Sequence, residues 1–250
     1  MTYCLGIKLK AGLVAIADTR ITSGTETTTA KKISLFEDDH QSMFIMTSGL
    51  RSVRDKAVTY FKEIMDEEKG HFNKLYKAVN SLGAQLRKVS KEDREALEDA
   101  GLTFNLYSII GGQLRDDDEP HLYLLYPEGN WVEIGYNTPF VIIGNSGYGK
   151  PILNRTISYD TSIETALKAG ILSFDSTRVS ANDVDFPIDV VLYKPNTYQL
   201  ISHRYTQTDL SSVSESWDKS LHEALNQVPE HWMSNFLNEF KHQVANPNAL

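Results

Sequence analysis

Along residues 3–10 the chain alternates Leu5, Ile7 and Leu9 with Cys4, Gly6 and Lys8, and after an Ala11-Gly12 turn a second apolar run covers 13–17. A period of two on either side of a glycine turn predicts a β-hairpin, ending at Asp18-Thr19-Arg20. Residues 22–30 are polar and threonine-rich, which predicts a loop or short ribbon. A third strand is expected over 31–36 and a fourth over 43–47, stopped by Ser48-Gly49. Four short strands are thus expected ahead of any helix. From Leu50 the spacing changes: Val53, Ala57, Phe61 and Ile64 fall three or four apart, as do Phe72, Leu75, Val79, Leu82 and Leu86 beyond a break at Gly70. That period predicts two consecutive amphipathic helices, each with one apolar stripe to bury.

Strand character returns over 103–110, 121–126 and 131–134, with turns expected at Gly111-Gly112 and at Pro127-Glu128-Gly129-Asn130. After Phe140-Val141-Ile142-Ile143, helices are expected over 150–158 and 162–174, then a strand pair over 188–193 and 198–202 across Pro195-Asn196. Strands, two helices, strands, two helices and strands is not βαβ alternation. It predicts an α+β fold in which two antiparallel sheets pack face to face with helix pairs outside, a four-layer αββα sandwich. Helically spaced Trp217, Leu221 and Leu225, then Trp232, Phe236, Leu237 and Phe240, close the chain. We therefore divide it into a core over 1–205 and a helical extension over 206–250 that docks on the core or on a neighbouring subunit.

Composition narrows the function classes. With 41% hydrophobic and 23% charged residues among 250, one well-buried core is expected. No apolar run approaches the roughly 20 residues that cross a bilayer, and the start lacks the pattern of a signal peptide, so a cytoplasmic protein with no membrane partner is expected. The formal charge of −8 argues against a nucleic-acid surface. The single cysteine, Cys4, reads as a small buried hydrophobe, and the scattered histidines give no metal spacing. Neither a metal nor a cofactor is expected. The run Arg115-Asp116-Asp117-Asp118-Glu119 reads as a solvated loop tip. Gly144 to Lys150 lacks the spacing of a phosphate loop, and Gly144-Asn145-Ser146-Gly147 has its second glycine one residue too early for a serine nucleophile elbow.

The second residue offers a different chemistry. Removal of Met1 would leave a threonine hydroxyl and a free α-amine on one residue, a nucleophile beside its own base, since an α-amine titrates near about 7.7–8.0. Such a terminus requires a nearby cation to lower the amine pKa and an acid to orient that cation. Asp18, at the end of the second strand, and Lys32, at the start of the third, meet this need, because the hairpin returns Asp18 to the side of Thr2. The plain alternative is a strand-end ion pair of Asp18 with Arg20 and a solvated Lys31-Lys32 pair.

Landmarks in order along the first 200 or so residues make the pattern specific: Thr2, Ala17-Asp18-Thr19-Arg20, Lys31-Lys32, Ser48-Gly49, Gly144-Asn145-Ser146, Tyr148-Gly149-Lys150-Pro151-Ile152-Leu153, Asp175-Ser176-Thr177 and Pro187-Ile188-Asp189. The chain resembles the proteasome β-subunit family, and the Tyr-Gly-Lys-Pro-Ile-Leu run points to its bacterial Anbu branch. The resemblance implies the N-terminal nucleophile hydrolase fold, with Thr2 as nucleophile, Asp18 as the acid, Lys32 in preference to Lys31 as the catalytic lysine, and Gly49 in the oxyanion hole. It further implies that Ser146, Asp175 and Ser180 surround the terminal amine. Arg20, Lys31 and Met46 are the expected side-chain pocket, with Arg20 favouring an acidic or polar group.

By the same resemblance, the activity expected is that of a threonine-type peptidase or amidase, acting on a peptide or small amide and activated by Met1 removal. Self-association into a ring or open helical array is implied, and a need for an unfoldase partner is not. Two other readings stand beside it. One is a non-catalytic scaffold subunit of a proteasome-like assembly, and the other is a hydrolase of a non-peptide amide on the same site.

Overall fold

The computed structural model describes residues 2–23, 26–67 and 72–245. Chain contacts divide it into two units, 1–209 and 210–250. The first unit opens with six strands: β1 (Tyr3–Leu9), β2 (Gly12–Asp18), β3 (Arg20–Ser23), β4 (Glu26–Thr29), β5 (Ile33–Asp38) and β6 (Gln41–Gly49). Helices α1 (Arg51–Glu67) and α2 (Leu75–Asp99) follow, then β7 (Leu106–Leu114), β8 (His121–Leu125), β9 (Trp131–Glu133) and β10 (Phe140–Gly144). The unit continues through α3 (Lys150–Thr156), α4 (Ile163–Arg178), β11 (Ile188–Tyr193) and β12 (Leu200–Tyr205). Most of α5 (Gln207–Asn226), a 3-10 turn at His231–Met233 and α6 (Ser234–Ala245) make up the second unit, where Trp232, Phe236 and Phe240 are exposed.

Two antiparallel five-stranded sheets carry the first unit, one ordered β10-β1-β2-β11-β12 and the other β5-β6-β7-β8-β9. Between them lies a core to which both contribute, Cys4, Leu13, Ala15 and Val191 from the first and Ile33, Phe44, Met46, Ile109 and Leu122 from the second. Strand alternation turns Met43 and Ile45 the other way, where they meet Val53, Ala57 and Phe61 of α1 and Val79, Leu82 and Leu86 of α2. On the outside of the first sheet, Gly170 of α4 leaves room for the Ile16 and Leu5 side chains, which an added Cβ would meet at 2.6 and 3.2 Å. The expected αββα sandwich is the observed fold. No helix among the described residues is long and apolar enough to cross a membrane.

Three local expectations differ from the structure. Of the loop or ribbon expected for the threonine-rich stretch the structure has the ribbon, β3 paired with β4, and with it six strands precede α1, not four. Gly111 and Gly112 lie inside β7 and make no turn. Their role is to clear space: a Cβ on Gly111 would sit 2.4 Å from Phe44 Cζ and 2.9 Å from Leu122 Cδ1, and one on Gly112 2.1 Å from the Ser42 carbonyl oxygen. The acidic run is solvated only in part: Arg115, Asp116 and Asp118 are exposed, and the other two acids are not. Asp117 is buried and accepts the backbone N–H groups of Leu75 at 3.0 Å and Leu114 at 2.9 Å, while Glu119 pairs with the buried Lys8 at 2.9 Å. These acids anchor the start of α2 and neutralise an ammonium inside the sandwich, which a run of like charges does not advertise. The Gly70 break lies outside the described residues.

Gly111→Ala should cost about 1–3 kcal/mol in urea unfolding, because the added methyl overpacks a filled core. The double variant Phe44→Leu with Gly111→Ala should cost less than the sum of its parts, by about 0.5–3 kcal/mol of coupling. Strict additivity would mean that the Phe44 ring does not occupy the space above Gly111.

Candidate active site

The β1–β2 hairpin sets the site. Its register pairs Cys4 with Ala17, so the next positions outward bring Thr2 and Tyr3 against Asp18. One carboxylate oxygen, Asp18 Oδ1, accepts three donors: the Thr2 hydroxyl at 2.9 Å, the Tyr3 N–H at 2.8 Å and Lys32 Nζ at 2.7 Å. Asp18 is fully buried, and Thr2 and Lys32 are 5% and 7% exposed. Burial raises the Asp18 pKa, a rise that the Lys32 ammonium and the three hydrogen bonds oppose without cancelling. Asp18 Oδ2 has no partner among the described residues. Beside this cluster, Cys4 is buried with its thiol pushed up to about 12 by desolvation, which makes it an inert packing group.

Two glycines hold the surrounding backbone. Gly144 adopts a φ of +88°, and a Cβ there would fall 1.9 Å from the Thr2 carbonyl oxygen, the group to which the neighbouring Asn145 N–H donates at 2.7 Å. Gly49, at φ +147°, is equally constrained, because its Cβ would lie 2.1 Å from the Asn105 carbonyl oxygen. Only glycine fits such left-handed positions against facing backbone without strain.

A cavity of about 410 Å³ opens beside Thr2, lined by Arg20, Lys32, Thr47, Gly49, Arg51 and Arg54 among others. Thr2, Asp18, Lys32, Gly49 and Arg20 are thus gathered at one place. Lys31 is not: it is exposed, with its carbonyl accepting from Arg54 at 3.5 Å, and it lines neighbouring cavities. Met46 is fully buried between the sheets and does not line the cavity, because β6 turns alternate residues to opposite faces. Ser146 follows Asn145 on the strand end that brackets Thr2. Asp175 is buried and accepts from Arg178 at 2.8 Å, whereas Ser180 is exposed, its N–H donating to the Thr177 carbonyl at 3.1 Å. Sequence reasoning missed Thr47, Asn105, Arg51 and Arg54. For the two arginines a signal was present, a basic i, i+3 pair immediately after the Ser48-Gly49 stop.

As observed, Thr2 is a structural node. Its hydroxyl proton is committed to Asp18, and in a chain bearing Met1 its nitrogen is an amide, which is no base at neutral pH. The cluster's chemistry therefore depends on whether that nitrogen is free.

A family model described as "Proteasome subunit" matches residues 2–191. A mutant of Anbu from Hyphomicrobium sp. strain MC1 superposes with a TM-score of 0.84 at 31% identity, covering 92% of this chain and 99% of that one. The helical assembly of the Anbu complex from Pseudomonas aeruginosa has a subunit that superposes with a TM-score of 0.86 at 28% identity, covering 91% and 97%. The proteasome subunit beta of Haloquadratum walsbyi (strain DSM 16790 / HBSQ001) is 25% identical over 175 residues, which span 70% of this chain and 66% of that protein.

The Asp18 carboxyl has a pKa raised by burial, so the folded state holds its proton at pH values where the unfolded chain, titrating near about 3.9, has released it. Stability from such a group is present at low pH and falls as pH rises through the folded pKa. Lys32→Met removes the cation that opposes the rise and widens this window upward. The variant should lose about 3–5 kcal/mol at pH 8, with the loss shrinking toward pH 5. Urea midpoints at the two pH values check this, and a penalty independent of pH would show that Asp18 does not carry it.

Proposed function

This chain belongs to the proteasome subunit family, and we propose that with Met1 attached it is an assembly-forming subunit of Anbu type that does not hydrolyse amides. The burial of Thr2, with its hydroxyl held by Asp18, carries this reading. A hydroxyl so held, with no free amine beside it, lacks the base that a terminal nucleophile needs. Its association is supported by the similar Anbu subunit from Pseudomonas aeruginosa, whose complex is a helical assembly. On this reading a ring or open helical array of identical subunits is the working form, and the polar cluster at Thr2 fixes the end of the hairpin.

A second reading has its own observation: Thr2, Lys32 and Gly49 all line the cavity, and Asp18 binds both the hydroxyl and the ammonium. Once Met1 is removed, the α-amine, or a water bound to it, takes the Thr2 hydroxyl proton. The oxygen attacks an amide carbonyl, and Lys32 together with the Gly49 N–H meets the charge that develops. The amine leaves with a proton, and water then cleaves the ester to free the acid and restore Thr2. On this reading the protein is a threonine-type peptidase, or an amidase of small non-peptide amides.

Intact-mass spectrometry separates the two readings. Protein retaining Met1 should form no adduct with a β-lactone and cleave no fluorogenic peptide, while remaining assembled by native mass spectrometry. Turnover by that form would overturn the lead reading. Protein freed of Met1 that forms one adduct at Thr2, absent in Thr2→Ala, would establish the second, and the absence of any adduct would remove it.

A further inference from the structure

Tyr3, the residue after Thr2, is fully buried and pinned at both ends. Its N–H donates to Asp18 Oδ1 at 2.8 Å, and its hydroxyl donates to Ser173 Oγ at 2.7 Å. The ring stands edge-on to Phe174, with centroids 5.9 Å apart. Burial holds the phenol proton well above its usual range, so the hydroxyl is a donor at every working pH.

Ser173 is fully buried in α4, where it meets a third segment. A Cβ on Gly149, the residue before α3, would lie 2.2 Å from Ser173 Oγ and 2.4 Å from its carbonyl oxygen, so the backbone there rests on the serine. Gly149 closes a loop that begins at Asn145, whose N–H donates to the Thr2 carbonyl at 2.7 Å. That loop carries Ser146, whose carbonyl accepts from the Lys150 N–H at 3.2 Å. It is therefore held by Thr2 at one end and by Ser173 at the other. The Tyr3–Ser173 hydrogen bond closes a circuit that leaves Thr2 along β1, crosses to α4 and returns through the loop to the carbonyl of Thr2.

A phenylalanine would bury the same ring, and a bonded hydroxyl adds little net stability to it. What the hydroxyl adds is specificity of position, because apolar contact is non-directional and a satisfied buried hydrogen bond is not.

We propose that Tyr3 and Ser173 are positioning residues for the Thr2 site: their hydrogen bond sets the height of β1 against α4 and so holds the loop carrying Ser146 against Thr2. Where it concerns turnover, this inference rests on the second reading above; where it concerns the order of the loop, it stands on the fold.

Tyr3→Phe deletes the hydroxyl and keeps the ring, and Ser173→Ala deletes its acceptor. Tyr193→Phe is the matched control: that tyrosine is also buried and donates to Gln113 Oε1 at 3.0 Å, but it pairs with Leu13, at the other end of β2 from Asp18. In the full Met1-bearing chain, amide hydrogen exchange at Asn145 should quicken about tenfold or more, relative to Val191 of the same variant, in Tyr3→Phe and in Ser173→Ala. In Tyr193→Phe the ratio should not change. In protein freed of Met1, the saturating rate of Thr2 acylation by a β-lactone should fall about tenfold in the two site variants, with the half-saturating lactone concentration unchanged. Exchange that quickens equally at Asn145 and Val191, or no more than in Tyr193→Phe, overturns the proposal, because the bond would then contribute stability alone. So does an undiminished acylation rate in the site variants when the parent is acylated. A parent that is not acylated removes the hydrolase reading, and the exchange ratio still decides this one.

Discussion

Everything at the site hangs on a single buried oxygen. Asp18 Oδ1 receives a hydroxyl, a backbone N–H and an ammonium within 2.9 Å, and in doing so it ties the first strand, the end of the second and the approach to the fifth. A carboxylate in the protein interior is costly unless it is paired, and removing one partner leaves the full desolvation penalty behind. The cluster therefore acts as one object. It fixes where the hairpin ends, and it joins the first sheet to the second through Lys32, the residue before β5. Gly144 and Gly49 make the arrangement possible from outside, since a side chain at either would drive facing backbone away.

The part of this that was legible in the sequence is the part ruled by short-range regularity. Alternation and a glycine turn predict the hairpin, and a hairpin returns its second strand to the start of its first, which brings Asp18 to Thr2. The two adjacent lysines ahead of β5 are separated by the family resemblance and not by any period: Lys32 is buried against Asp18, and Lys31 is exposed. Regularity fails where a residue's role is set by what packs on it. Gly111 and Gly112 look like a turn, yet they are flat places in a central strand beneath Phe44 and beside Met43. Met46 looks like a pocket wall, yet its parity on β6 sends it to the core between the sheets. Asp117 and Glu119 look solvated, and only the tertiary fold reveals the N–H groups and the Lys8 ammonium that they serve.

The arginines of α1 show a different limit. In the sequence they are two charges on a helix that has an apolar stripe elsewhere, and such charges usually face water. Their meaning comes from the end of the helix they occupy and from the cavity that this end faces. Natural chains tend to be consistent across levels, with local preference and overall fold agreeing. A first turn with arginines and no acid departs from that consistency at the wall of the site, where departures most often reflect function.

Thr2 sits where these constraints meet. Its burial and its bond to Asp18 make it a poor nucleophile in the Met1-bearing chain, yet those same contacts hold its oxygen at a defined place on the cavity wall. Positioning is a large part of what an enzyme must supply to a reacting group, and the hairpin register and one carboxylate fix the Thr2 oxygen whether or not it reacts. What the register cannot supply is a base, because that depends on the bond between residues 1 and 2. Structure and chemistry are thus separable at this site: the hairpin and Asp18 fix where the Thr2 oxygen and the Lys32 ammonium meet, and an amide nitrogen on Thr2 leaves that geometry anchoring a strand, whereas only the second of the proposed readings puts a base there.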